Sequence, residues 1–171
     1  FLPFFVMLIF INPFFFFFIR IQTFQQFLPV TMEDAWNFFS NPSNLSRITP
    51  PSMNFVIKSE VPPKIYPGLI ILYKVSPLAG IPMTWVTEIT HVNEPFYFVD
   101  EQRSGPYAMW HHEHHFEPVE GGVMMTDRLT YRVPLGPLGR LIDSMFIREK
   151  VRAIFSYRKE ILLTTGLREL R

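Results

Sequence analysis

Residues 96–133 read FYFVDEQRSGPYAMWHHEHHFEPVEGGVMMTDRLTYRV. Two turn segments, Ser104-Gly105-Pro106 and Gly121-Gly122, divide this stretch into three strand-like runs. Connections this short predict hairpins, and hairpins join antiparallel strands. The stretch therefore predicts part of an antiparallel sheet, in which one face packs on a core and the other meets water.

The same pattern extends toward the N-terminus. Three further strand-like runs, each bounded by Pro or Gly turns, are Met53–Glu60, Leu69–Val75 and Pro82–Val92. Before them, an alternation of apolar and polar residues from Ile19 to Phe27 predicts a first strand. Between that strand and the others, Thr31-Met-Glu-Asp34 predicts a capped helix start, and Asn41-Pro42 starts a second short helix.

A helical pattern follows the sheet. After Leu135-Gly136-Pro137, one apolar face contains Leu138, Leu141, Ile142 and Met145, and a second face, out of phase with it, begins at Ile147. This change of phase predicts a short helix and a long helix with a break near Asp143–Phe146. The order of elements predicts an α+β fold: a curved antiparallel sheet of about seven strands wraps around a long C-terminal helix and leaves an internal cavity.

Several segments carry a resemblance to a known family. They are WNFFSNPSNLSRITPPSMNF (Trp36–Phe55), IYPGLIILYKVSPLAGIPMTW (Ile65–Trp85), EITHVNEPFYFVDEQRSGPYAMWHHEHHFEP (Glu88–Pro118), PLGPLGRL and VRAIFSYR. With them the chain resembles the START-like, or SRPBCC, superfamily over residues 20 to 160, and within it a bacterial group of ligand-binding SRPBCC proteins. The resemblance implies the helix-grip fold and a ligand cavity. Members of the superfamily bind lipids, sterols, polyketides or plant hormones, some are cyclases or dehydratases, and some bind chaperones, so the fold does not fix the function.

Composition excludes several classes of function. The 171 residues include 16 Lys and Arg against 15 Asp and Glu, a net charge of +1. This balance argues against nucleic acid as a partner. The chain contains no cysteine, which excludes a disulfide framework, a thiolate nucleophile and a cysteine zinc site.

The first nineteen residues differ from the rest. Residues 1–19 carry no charge and contain nine Phe. A membrane anchor and an artefactual or poorly ordered leader are the two interpretations. We therefore divide the chain into an apolar leader (1–19), a START-like domain (20–165) and a tail (166–171). We expect a cytoplasmic protein, with anchoring through residues 1–19 as the alternative.

The segment Trp110–His115 holds the most conspicuous polar side chains. Alternate residues of a strand share a face, so Trp110, His112 and His114 point toward the core. The same phasing of the next strand points Asp127 inward, beside the two imidazoles. His112, His114 and Asp127 are thus the candidate catalytic residues. The predicted ligand-binding residues are Trp85, Phe98, Gln102, Trp110, His112, His114, Asp127 and Tyr131.

Three interpretations of this cluster remain. His112, His114 and a carboxylate could chelate a metal; Asp127 or Asp100 could orient a His for acid–base catalysis; or the buried polar groups satisfy one another and provide polar contacts for a ligand. We favour the third and expect neither a metal nor a cofactor. The predicted function is binding of a small hydrophobic molecule (lipid, polyketide or aromatic-like) by a carrier or sensor. The alternatives are a cyclase/dehydratase-like enzyme and a membrane-tethered lipid-handling protein.

Overall fold

The structure is a computed structural model that describes residues 18–78, 80–167 and 169. Residues 1–17 of the predicted leader and residues 168, 170 and 171 of the predicted tail lie outside the described residues. Within the described ranges, seven strands form one antiparallel sheet in the order β1-β7-β6-β5-β4-β3-β2. They are β1 (Arg20–Leu28), β2 (Val56–Ile57), β3 (Ile70–Leu78), β4 (Ile81–Asn93), β5 (Tyr97–Ser104), β6 (Met109–Val119) and β7 (Gly122–Arg132).

The helices lie between β1 and β2 and after β7. The first group consists of α1 (Met32–Phe39) and two 3₁₀ helices (Pro42–Ile48 and Pro51–Met53). The second consists of α2 (Gly136–Ile142), a π-helical turn (Asp143–Ile147) and α3 (Arg148–Thr164). The π-helical turn occupies the position of the predicted break, so a change of helical pitch, without a loop, separates the two helices.

Local sequence explains where the first helices begin. The Thr31 side chain accepts a hydrogen bond from the Asp34 backbone N–H (3.1 Å), as predicted for a capped start. The Asn41 side chain accepts one from the Ser43 backbone N–H (3.0 Å), and Pro42 stands at the first position of the next helix.

The core lies between the inner face of the sheet and the helices. Phe155 of α3 stacks on Phe24 of β1 with ring centroids 4.0 Å apart. Trp36 of α1 packs edge-on against Phe98 of β5 and Phe116 of β6. Helices therefore cover one face of the antiparallel sheet, and the predicted α+β helix-grip architecture is confirmed.

Two local predictions differ from the structure. The predicted strand Met53–Glu60 is reduced to the two residues of β2. Of the apolar face predicted for Leu138, Leu141, Ile142 and Met145, three residues are exposed: Leu138 by 56%, Leu141 by 54% and Met145 by 58%. The inward side of α2 carries instead the buried Gly139 and the half-buried Ile142, which packs against the core cluster that contains Leu129 and Tyr131.

Among the described residues, no helix combines the length and the apolar character that a membrane span requires.

Candidate functional site

A cavity of about 170 Å³ lies between the sheet and the helices. Its wall is mostly apolar, and its apolar side chains include residues of α1, the two 3₁₀ helices, the sheet and α3. They include Ile48, Ile71, Val75, Ile89, Val151 and Phe155. Other wall residues, among them Leu45, Met53, Pro77 and Ile154, are half-buried, so this part of the wall lies nearest the surface.

A compact His–Asp cluster forms the polar part of the wall. Asp100, His112 and His114 line the cavity. His112 donates from Nε2 to Asp127 Oδ1 (2.9 Å), and His114 donates from Nε2 to Asp100 Oδ2 (2.9 Å). His112 Nδ1 lies 3.4 Å from Asp100 Oδ2, and the two imidazole centroids are 3.8 Å apart. His114 Nδ1 lies 2.9 Å from Asp127 Oδ1, but their alignment does not form a hydrogen bond.

The electrostatics of the cluster favour charged groups despite burial. Burial alone would lower the pKa of His112, but hydrogen bonding and the charges of Asp100 and Asp127 outweigh it and raise this pKa to about 9. Burial alone would raise the pKa values of both carboxyl groups, but hydrogen bonds from His112 and His114 hold them below the ordinary range. At neutral pH, His112 is therefore an imidazolium between two carboxylates.

Arg158 of α3 adds a second buried cation. Its side chain lines the cavity, the residue is 7% exposed, and Nη1 lies 3.6 Å from Asp127 Oδ1. The guanidinium carbon lies 4.9 Å from the centroid of the Phe155 ring, a cation–π arrangement. The positive charges of His112 and Arg158 thus offset the negative charges of Asp100 and Asp127.

A tyrosine provides a further polar group. Tyr73 of β3 lines the cavity, and burial, helped by the charge of Asp100, raises its pKa far above the usual value. Its hydroxyl is therefore neutral and keeps its proton. Among the described residues, the structure shows no hydrogen-bond partner for this hydroxyl, which leaves it available to a molecule in the cavity.

Five of the eight predicted ligand-binding residues line the cavity: Trp85, Phe98, Trp110, His112 and His114. The other three do not. Gln102 donates from Nε2 to the Tyr107 carbonyl (2.7 Å) and accepts from the Tyr107 N–H (3.2 Å), and thereby fixes the connection after β5. Asp127 is buried behind the cavity wall, as the strand phasing predicts, and contacts three residues that line the cavity: His112, His114 and Arg158.

Tyr131, the third, belongs to a separate buried network. Its hydroxyl donates to Asp143 Oδ1 (2.7 Å) and accepts from Gln22 Nε2 (3.1 Å). Arg20 Nε donates to Asp143 Oδ2 (2.9 Å). Tyr131 therefore links β7 to β1 and the π-helical turn.

Sequence reasoning missed Arg158 and Tyr73. The signal for Tyr73 was the alternation in β3, where Ile71, Tyr73 and Val75 are buried. The signal for Arg158 was helical spacing, because it follows Val151 by seven residues and shares its face of α3. Its charge argued against that position, since unpaired buried arginines are uncommon.

The metal interpretation has a geometric basis. Ligand atoms of Asp100, His112 and His114 lie within 4.8 Å of one another, close enough to surround one ion. In the structure, however, both imidazoles donate hydrogen bonds to carboxylates, and a coordinating nitrogen must give up its proton. An ion would thus have to bind through the Nδ1 atoms, and Nδ1 of His112 would have to lose the proton that makes this ring an imidazolium.

Comparisons with known proteins identify the fold. No family model and no curated protein matches the chain. Among solved structures, it is similar to protein Ms6760 from Mycobacterium smegmatis, with a TM-score of 0.60 and 17% identity over 88% of this chain and 99% of that one. It is also similar to TTHA0849 from Thermus thermophilus (TM-score 0.62, 16% identity, 86% and 99% covered). Ginseng major latex-like protein 151 from Panax ginseng is a third example (TM-score 0.53, 14% identity, 79% and 96% covered). These similarities define a protein of the helix-grip fold.

Proposed function

We propose that the protein binds a small hydrophobic molecule in the internal cavity, as a carrier or sensor. The observation that carries this proposal is the mostly apolar cavity of about 170 Å³ between the sheet and α3. Apolar cavities of about 150 Å³ are known to bind benzene. Burial of apolar ligand surface supplies the driving force, and the polar groups of the wall orient the ligand.

The expected ligand is compact. The aromatic rings of Trp85, Phe98 and Trp110 line the wall, and aromatic surfaces pack well against flat rings. Among the three ligand types predicted from the sequence, these features favour an aromatic-like molecule or a short part of a larger one.

Ethylbenzene provides a direct test. We expect saturable binding, measured by NMR shifts of cavity residues or by a rise in the unfolding temperature. The variant Ile154→Trp places a larger side chain on the cavity wall and should weaken binding at least about tenfold. The matched control Ala153→Trp alters an exposed neighbour on the same helix and should leave binding unchanged. Absence of binding to the folded wild-type protein would refute the proposal.

A second candidate function is acid–base catalysis. It is favoured by the His112–Asp127 and His114–Asp100 hydrogen bonds, because both imidazoles line the cavity and each is oriented by a carboxylate. The protonated His112 would act as an acid toward a hydroxyl leaving group. A suitable probe is 4-hydroxy-4-phenylbutan-2-one, whose dehydration yields a conjugated enone and water and is followed by absorbance.

The variants His112→Gln and His115→Gln show whether turnover depends on the His–Asp cluster or occurs on any protein surface. His115 lies on the same strand, with its side chain 44% exposed. Catalysis requires turnover by the wild type and the His115 variant, and loss of turnover in a folded His112 variant. Turnover that is equal in all three proteins, or absent from the wild type, contradicts this second function.

A further inference from the structure

We propose that Arg158 is the hydrogen-bond donor that selects the ligand, and that the ligand carries an uncharged carbonyl oxygen. This inference rests on the proposed function and specifies the chemical class of the ligand. The ligand is thus a compact apolar molecule with a ketone, ester or amide group directed at the guanidinium.

The first argument is the unsatisfied state of the Arg158 side chain. A guanidinium has five N–H donors. Within the described part of the chain, the structure shows no hydrogen bond from Arg158 to another residue, and Nε is buried without a partner. The nearest carboxylate oxygen, on Asp127, is 3.6 Å away and already accepts from His112. Buried polar groups normally have hydrogen-bond partners. We therefore expect a ligand in the cavity to provide an acceptor for this guanidinium.

The second argument is charge balance. The charges of Asp100, Asp127, His112 and Arg158 already sum to zero. A carboxylate ligand would add a third negative charge to a buried site, and an unbalanced buried charge is costly. A carbonyl oxygen accepts from Arg158 without changing the charge, and it remains a good acceptor for a charged donor.

Tyr73 also favours a ligand that carries a carbonyl oxygen. The residue lines the cavity, and its neutral hydroxyl, like Arg158, can donate to an oxygen acceptor. A purely apolar ligand would leave both donors without a partner, and a ligand whose only polar group is an ammonium would offer them no acceptor.

The test compares three ligands of similar size. Acetophenone carries the carbonyl, ethylbenzene has the same shape without it, and benzoate carries a negative charge. The measured quantity is the ratio of the ethylbenzene Kd to the acetophenone Kd, determined for the wild type and for Arg158→Met. We expect this ratio to be about tenfold higher in the wild type, the effect of a hydrogen bond to a charged group. Arg152→Met, an exposed change on α3, should keep the wild-type ratio.

Several outcomes would overturn the inference. An unchanged ratio in Arg158→Met, or tighter binding of benzoate than of acetophenone by the wild type, would do so. Saturable ethylbenzene binding would still support the proposed function in either case, whereas failure of ethylbenzene to bind would refute that function itself.

A measurement on the wild type alone guards against unfolding of the variant. The carbonyl stretch of ¹³C-labelled acetophenone should move to lower wavenumber on binding than in cyclohexane, because a charged donor weakens the C=O bond. A bound frequency equal to the frequency in cyclohexane would contradict the assignment of Arg158 as donor.

Discussion

His112 illustrates how one residue makes the stability of the fold depend on pH. Its pKa is raised from 6.5 to about 9 in the folded protein, so folding favours its protonated form. The resulting stabilisation is fully present below pH 6.5 and is lost as the pH rises through 9. Asp100 and Asp127 have lowered pKa values, so their contributions disappear as the pH falls through and below their ordinary pKa of 3.8.

We therefore predict that the free energy of unfolding is highest between about pH 4 and pH 6.5 and falls by up to about 3 kcal/mol toward pH 9. Urea unfolding at a series of pH values measures this fall. His112→Gln should be less stable and should lack most of it, whereas His115→Gln should retain it. The same pH slope in wild type and His112→Gln would show that another group titrates.

A second prediction concerns Asp127, whose carboxylate contacts His112 and Arg158. Asp127→Asn leaves two buried cations facing the single charge of Asp100, so we expect a loss of about 3–5 kcal/mol in urea unfolding. Glu113→Gln, on the outer face of β6, removes a partly exposed pair with His115 and should cost less than about 1 kcal/mol. Equal costs for the two variants would contradict this account of the cluster.

At the scale of elements, Asp143 joins three segments that are distant in the sequence. The carboxylate is buried in the π-helical turn and accepts from Tyr131 of β7 and Arg20 of β1. Asp143→Asn leaves the Arg20 guanidinium without its partner, so we predict a loss of about 3 kcal/mol. Hydrogen exchange of the turn amides should accelerate more than exchange in β3. Glu149→Gln, which alters an exposed pair with Arg152, provides the control and should change neither quantity appreciably.

An element could be predicted from the sequence where its own residues show which of its faces packs on the core. Alternation and turn residues predicted β3 to β7, because a strand of this sheet shows its buried face every second residue. The same alternation placed His112 and His114 correctly inside. The orientation of α2 was not predictable from its apolar face, since Gly139 and Ile142 form its inward side and Leu138 is left exposed.

The candidate site shows the same limit. Arg158 lies on the buried face of α3 by spacing, but its burial depends on Asp127, a residue of another element. A charged residue is interpreted as solvent-exposed until its tertiary partner is known. Likewise, the alternation that turned Gln102 inward could not indicate that its amide would bind the Tyr107 backbone rather than a ligand.

At the scale of the whole molecule, the cavity connects most of the fold. Its wall takes residues from α1, the 3₁₀ helices, β3, β4, β5, β6 and α3, so none of these elements can open without exposing it. A ligand that binds only this folded arrangement stabilises the protein by mass action.

We predict that ethylbenzene at about 100 times its Kd raises the free energy of global unfolding by about 2.7 kcal/mol. The slowest-exchanging amides of β3 and β7 should then slow by the same factor of about a hundred, because both exchange through global unfolding. Ile154→Trp, with binding weakened about tenfold, should reduce the effect to about 1.4 kcal/mol at the same ligand concentration, and Ala153→Trp should preserve it. Protection limited to β3 and α3, with β7 unchanged, would mean that the ligand stabilises only a local substructure and would contradict a cavity shared by the whole fold.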